Sequence, residues 1–242
     1  MFDPVRMDID EETREAIREA LEDMEERVDV HVFVGPNCTY CDETLKIIKV
    51  LEEASPSRGG SRLLNVIVHE KGKDNAAFEK YGVTRIPATV LADGAIRYTG
   101  TPSGEELRGL VETIIRISQG DSGLDEVTVK KILEIKKPVH IEVIVTPQCP
   151  YCPYAALLSN MFAYEAARNG KKDFISEIVE AYENPDIADK YGVMSVPAIA
   201  INGVMSFVGV PYEEDFVERI KEIVVEGKAK GPETIADSAT QM

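Results

Sequence analysis

Much of this chain is one sequence written twice. Residues 80–88 read KYGVTRIPA and residues 190–198 read KYGVMSVPA, identical at six of nine positions with an offset of 110. The agreement extends beyond this block. Asp93 and Gly94 follow the first copy and Asn202 and Gly203 the second, and Gly100-Thr101-Pro102 matches Gly209-Val210-Pro211, both at an offset of 109. The four cysteines obey the same period: Cys38-Thr-Tyr-Cys41 and Cys149-Pro-Tyr-Cys152 lie 111 residues apart. A shared spacing across independent motifs marks a tandem duplication. The unit of about 110 residues is an ordinary domain size. The units are read as residues 1–120 and 121–228, joined through SQGDSG at 118–123, with 229–242 a mobile tail lacking apolar periodicity.

Each copy alternates strand and helix. In the first, Ile9, Ile17, Ala20, Leu21, Met24 and Val28 lie on one face at helical spacing, and residues 30–34 form a short apolar strand. The cysteines follow, then a helix carrying Leu45, Ile47, Ile48 and Leu51. Residues 55–60 read as loop, 63–68 as strand and 76–81 as helix. Residues 88–91 and 95–98 flank Asp-Gly, a strong hairpin signal, and a helix covers about 103–117. The second copy repeats the order. It has a helix at about 124–136, a strand at 139–145 and a helix running from the cysteines to about 168. A strand near 175–179, a hairpin at Asn202 and Gly203 and a helix at about 213–225 complete it. Such alternation predicts an α/β fold, each unit a central mixed sheet flanked by helices.

In both copies an apolar strand runs into the CxxC and a helix runs out of it. The first cysteine is expected near the N-cap and the second one turn later, close enough to bridge. The first sulfur then faces the unpaired N–H groups and the positive end of the helix dipole, which stabilises its thiolate. The second, more buried thiol resolves a mixed disulfide by intramolecular attack. Cys38 and Cys149 are thus the expected nucleophiles, and Cys41 and Cys152 the resolving thiols.

A strand–CxxC–helix unit followed by a β-branched residue and proline before a hairpin resembles the thioredoxin superfamily. Two such units in one chain, the second with Cys-Pro-Tyr-Cys, resemble the protein disulfide oxidoreductases of thermophilic archaea. The resemblance implies two tandem thioredoxin-like folds and thiol–disulfide exchange (reduction, oxidation or isomerisation of protein disulfides) by the cysteine pairs, with no cofactor. It implies cis bonds at Ile86-Pro87 and Val196-Pro197. A cis proline facing the CxxC would leave the backbone of Ile86 or Val196 free to pair with an extended substrate segment. A thioredoxin-reductase-like flavoprotein is the implied electron donor, with peroxiredoxins as further partners. Tyr40 and Tyr151, between the cysteines, either shape the substrate surface or pack locally.

Two departures stand out. Many thioredoxins carry an acid six residues before the first cysteine; here those positions are Val32 and Val143. His31 and Glu142 sit one residue earlier, so strand alternation turns them to the opposite face. The chain also lacks tryptophan. Cys-Pro-Tyr-Cys occurs in glutaredoxins too, which leaves a glutaredoxin-like or peroxiredoxin-reducing electron carrier as an alternative. Thr146, Pro147 and Gln148 supply no base before Cys149 to hold anionic glutathione, so protein disulfides are favoured.

Charge narrows the partners. The formal net charge of −16 offers no basic stripe for nucleic acid. Half of it comes from the first 30 residues, with 12 acids against 4 bases, read as the solvated face of the first helix or a docking face for a reductase. No signal peptide and no membrane span is visible, so the expected location is cytoplasmic. Cysteines there point to redox or metal chemistry. Few Asn and Gln among many charges match thermophile composition. Four thiolates suit zinc, but such sites space their pairs about 15–20 residues apart, so no metal is expected. A chaperone whose CxxC groups are secondary is the alternative from another class. His31, His69 and His140 lack ligand spacing and read as hydrogen-bonded structural groups. Asp42 directly follows the first pair and opposes a thiolate on Cys38, so Cys149 is expected to be the more reactive thiol.

Overall fold

The computed structural model describes residues 3–228, 231, 233 and 234. In the first copy, β1 (Val28–Val34) pairs in parallel with β4 (Leu64–Glu70) and antiparallel with β5 (Ala88–Leu91), which pairs antiparallel with β6 (Ile96–Thr99). Helices α1 (Glu11–Leu21), α2 (Cys41–Ala54), α3 (Asn75–Tyr81) and α4 (Glu106–Gln119) flank these strands. The second copy repeats the pattern. There β7 (Val139–Val145) runs parallel to β8 (Phe174–Glu180) and antiparallel to β9 (Ala198–Ile201), which pairs antiparallel with β10 (Val204–Val208). Its helices are α5 (Glu126–Glu134), α6 (Cys152–Arg168), α7 (Pro185–Lys190) and α8 (Glu213–Val224). The fold is thus α/β, with two thioredoxin-like units in tandem.

Several local expectations shift. The first helix ends at Leu21, and Met24 and Val28 are buried beyond it, in the following turn and at the start of β1. Residues 55–60, read as loop, form one side of a small hairpin, β2 (Ser57–Arg58) with β3 (Ser61–Arg62). The six-residue α7 adds a helix that the apolar pattern does not announce. The expected tail falls mostly outside the described residues. Within them, β11 (Glu233–Thr234) pairs in parallel with β10.

The two units do not keep separate sheets. β6 and β8 pair in parallel from Ile96↔Ser176 to Thr99↔Val179, giving one nine-stranded sheet in the order β11-β10-β9-β7-β8-β6-β5-β1-β4. Each of these strands would otherwise be an edge with unpaired N–H and C=O groups, and the seam satisfies both. Burial follows. β4, at the outer edge, is mostly half-buried, whereas β8, its counterpart in the repeat, is largely buried.

Helix α6 is buried along much of its 17 residues because it lies between the sheet and α4 and α5. Ala155, Ala156, Ala163 and Ala166 let neighbours approach, while Phe162 fills the core against Phe216. Its amide side chain at Asn160 donates to Tyr98 (2.9 Å) and Thr113 (3.1 Å) of the first unit and accepts from Ser176 (2.8 Å). This fully bonded buried network joins the units. One apolar core runs through both, with a smaller cluster of Phe33, Tyr81, Val83, Ala88 and Val90 behind the first.

Candidate active site

The repeated KYG segments are explained on the back of the sheet. Lys80 donates to the Tyr81 hydroxyl (2.9 Å), which bonds His31 (3.0 Å); Lys190 donates to Tyr191, which bonds Glu142. Gly82 and Gly192 follow, both at φ +61°, a left-handed conformation that only glycine adopts without strain. His31 and Glu142 therefore face away from the CxxC helices, as strand alternation requires, and Val32 and Val143 are fully buried. His31 also bonds His69 (2.9 Å), and His140 bonds Glu177 (2.8 Å), so all three histidines are hydrogen-bonded.

On the other side, β1 and β7 each end a few residues before a cysteine pair. The pairs are closed as disulfides, Cys38–Cys41 and Cys149–Cys152, with Cα atoms 5.5 and 5.4 Å apart. Cys38 is half-buried and Cys41 buried; Cys149 and Cys152 are both buried, at 7% and 0% exposure. The helices begin at the second cysteine, not the first. Tyr40 and Tyr151 occupy the N-cap positions, and Cys38 and Cys149 lie two residues earlier. The reason is the turn that the disulfide spans. The Cys152 N–H turns back to the Cys149 carbonyl (3.3 Å) and also points at Cys149 Sγ (3.1 Å). One helix-end N–H thus reaches this sulfur, in keeping with the dipole argument, although the sulfur lies outside the helix.

Ile86-Pro87 and Val196-Pro197 are cis. Ile86 packs against Gly35, three residues before Cys38: a Cβ added at Gly35 would lie 3.0 Å from its Cδ1. The Pro87 and Pro197 carbonyls accept from Gly100 (3.0 Å) and Gly209 (2.8 Å), which accounts for the repeated glycine of the Gly-x-Pro segments. Among the described residues, no backbone partner pairs with Ile86 or Val196. Tyr151 is 46% exposed, whereas the Tyr40 hydroxyl donates to Asp3 (3.3 Å).

That last bond belongs to a feature without a sequence signal. The segment before α1 runs past both cysteine pairs. Met7 N–H donates to Glu43 (3.1 Å), Lys46 to the Met7 carbonyl (3.2 Å), and Gln148, beside Cys149, to the Pro4 carbonyl (3.2 Å). Val5 anchors it at 1% exposure. The loop after β6 is a second bridge. Thr101 meets Thr44 of α2 (2.9 Å), its N–H donates to Glu183 (2.5 Å), and the Glu105 N–H donates to Pro147 (2.8 Å).

Comparison with known proteins agrees with this geometry. The family model described as "Thioredoxin domain" matches twice, at residues 28–112 and 139–221. The crystal structure of a protein disulfide oxidoreductase from Aeropyrum pernix superposes with a TM-score of 0.90 at 50% identity, covering 93% of this chain and 97% of that one. A probable thioredoxin from Methanothermobacter thermautotrophicus is 41% identical over 88 residues, which is 35% of this chain and 94% of the relative. An alkylhydroperoxide reductase structure from Enterococcus faecalis shares the fold at 21% identity, with a TM-score of 0.76, over 87% of this chain and 98% of that one.

Proposed function

We propose that Cys38 and Cys149 are the attacking thiols of a protein disulfide oxidoreductase, with Cys41 and Cys152 as resolving thiols, on the premise that the chain belongs to the thioredoxin-domain family. The activity is thiol–disulfide exchange, and the redox groups are the cysteine pairs. The observation that carries the assignment is the graded burial in each pair: the second cysteine, at the first helical position, is less accessible than the first.

The attacking thiolate forms a mixed disulfide with a substrate sulfur, and the second cysteine of the pair displaces it. At the second site the Cys152 N–H stabilises charge on Cys149 Sγ. Ile86-Pro87 and Val196-Pro197 offer free backbone groups to an extended substrate strand, and Tyr40 and Tyr151 border the pairs. Partners in this reading are protein disulfides, a thioredoxin-reductase-like flavoprotein as electron donor, and peroxiredoxin. The location is cytoplasmic; no described helix is long and apolar enough to cross a membrane. Residues 1–120 and 121–228 are the two units.

The test is reduction of insulin disulfides by Cys38→Ser, Cys149→Ser and the double variant, with trapping of mixed disulfides by Cys41→Ser and Cys152→Ser. Each single variant should retain part of the turnover and the double variant none. Trapped adducts should map to Cys38 and Cys149. Adducts on Cys41 or Cys152 of the unsubstituted pairs would reverse the roles.

A further inference from the structure

Helix α6 keeps an apolar stripe open beside the second cysteine pair. Tyr154, Leu157, Leu158 and Met161 recur at i, i+3, i+4 and i+7 on one face of α6. Tyr154 is 54% exposed, and Leu157 and Leu158 are half-buried. With Leu124 and Arg116 they line an open groove of about 180 Å³. At 1.5 Å per residue the stripe is about 10 Å long, the length of about three extended residues. It begins two residues after Cys152. Tyr151, between the cysteines and also exposed, lies one turn before Tyr154. A polypeptide joined to Cys149 therefore sits within two helical turns of the groove.

The other repeat shows what such a helix face holds. At the offset of the cysteines, 111, the stripe falls on Glu43, Lys46, Ile47 and Val50 of α2. There the non-helical segment before α1 lies against the helix. The Met7 N–H donates to Glu43 (3.1 Å), Lys46 donates to the Met7 carbonyl (3.2 Å) and the Tyr40 hydroxyl donates to Asp3 (3.3 Å). Val5 and Ile9 of this segment are buried.

Among the described residues the second copy has no such cover. α5 stands where α1 does. Both start behind an Asp N-cap, Asp10 and Asp125, and α5 packs on α6 and α8 as α1 packs on α2 and α4. The chain enters α5 from the end of α4, however, and its approach stays at the far end of α6. There the Tyr164 hydroxyl donates to the Ile117 carbonyl (3.2 Å) and Ser122 donates to Glu165 (2.7 Å). It meets the groove only at residues 122–124. The polar clamp of Glu43 and Lys46 is also replaced, by Tyr154 and Leu157. An occupant here is held by burial of apolar surface.

We propose that this groove receives an apolar stretch of the protein whose disulfide reacts at Cys149, so that Tyr154, Leu157, Leu158 and Met161 select unfolded polypeptide as the substrate of the second site. This rests on Cys149 as the attacking thiol. Two observations fix the occupant: the equivalent face of α2 is filled by non-helical chain, and the groove is continuous with the cysteine pair that the substrate must reach. A folded protein keeps its apolar runs inside, whereas an unfolded one presents them. The first site, whose helix face residues 3–7 already occupy, makes no such selection. The stripe touches substrate away from the reacting sulfurs, so its effect falls on KM and not on kcat.

The test uses the full chain with Cys38→Ser and Cys41→Ser, so that only the second site reacts. The reduced chain is mixed in turn with two peptides, each closed by one disulfide, flanked by three leucines in one and by three serines in the other. The half-saturating concentration should be about tenfold lower for the leucine peptide, at similar limiting rates. Leu157→Lys, which gives α6 the residue that α2 has at Lys46, should bring the two peptides within about twofold, and Leu157→Met should preserve the preference. Equal half-saturating concentrations in the parent, or a preference that Leu157→Lys leaves intact, would overturn the proposal. If Leu157→Lys does not fold, the parent decides. A cysteine-free leucine peptide should shift the amide resonances of Leu157 and Leu158 and a serine peptide should not; absence of those shifts overturns the proposal. These resonances decide the groove even where Cys149 reacts with neither peptide, an outcome that overturns the cysteine assignment alone. A dimer in sedimentation that Leu157→Lys abolishes would place a second copy in the groove and overturn the proposal.

Discussion

Replacing Glu177 with Gln removes the central charge of the seam between the two units. Glu177 lies on β8, its side chain 13% exposed, and accepts from Thr99 (2.5 Å) and Arg97 (3.3 Å) of β6 in the first unit. His140 of β7 donates at 2.8 Å. Burial works against the charge. The His140 hydrogen bond, the Arg97 charge and the Thr99 hydroxyl outweigh it and lower the carboxyl from its usual 4.5 to about 2. That difference is worth about 3 kcal/mol in favour of the folded chain. Because the folded value is depressed, the contribution is complete above about 4.5 and disappears as pH falls through about 2. Gln keeps the volume and one acceptor but leaves the Arg97 guanidinium, 11% exposed, without its counter-charge. Urea unfolding of Glu177→Gln at neutral pH should therefore show a loss of about 3 kcal/mol that shrinks as pH drops below about 4.5. A loss below about 1 kcal/mol at neutral pH, or one independent of pH, would refute the charge-based account of the seam.

Three further substitutions probe the site and its cover. Gly104→Ala puts a Cβ against the Pro147 carbonyl at φ +60° and should cost about 2–4 kcal/mol in thermal or urea unfolding; it should also slow alkylation at Cys149 while sparing Cys38. Glu106→Gln removes a carboxyl whose folded value is raised, so the parent loses stability as pH climbs from about 4.5 towards 8. The variant should match the parent in melting temperature near pH 4 and exceed it by several degrees near pH 9, and equal melting curves at both would count against a buried acid. Asp42→Asn, in the reduced Cys149→Ser background, should raise alkylation of Cys38 at low pH about two- to fivefold, and an unchanged rate would show that Asp42 does not oppose the thiolate.

The parts of the fold legible in the sequence are those with a short-range cause. The strand at Val139–Val145 is legible to the residue, because Val139, Ile141, Val143, Ile144 and Val145 are β-branched and the prolines at 138 and 147 bound the segment. Helices with one apolar stripe are legible to within a few residues. The departures have equally local causes. Met24 and Val28 keep helical spacing but are buried in a turn and a strand, since apolar periodicity records burial and not backbone shape. α7 is too short to show a period. The helix start falls on Cys41 and Cys152 because the turn before each helix is set by pairing of backbone groups, which residue identity does not reveal.

The duplication, the fold class and the grouping of the four cysteines into two CxxC pairs follow from the sequence alone, because each rests on spacing or on residue pattern. The tertiary structure alone decides how the copies meet. Glu70 and Glu180 are one position of one repeat, and nothing in their flanking residues separates a carboxylate near water from one at 3% exposure. The pairing of β6 with β8 covers Glu180 with Gly100 and α4 and sets Glu106 beside it. Desolvation is a property of everything packed around a group, including chain about eighty residues away, so these two equivalent carboxylates diverge only once the chain has folded.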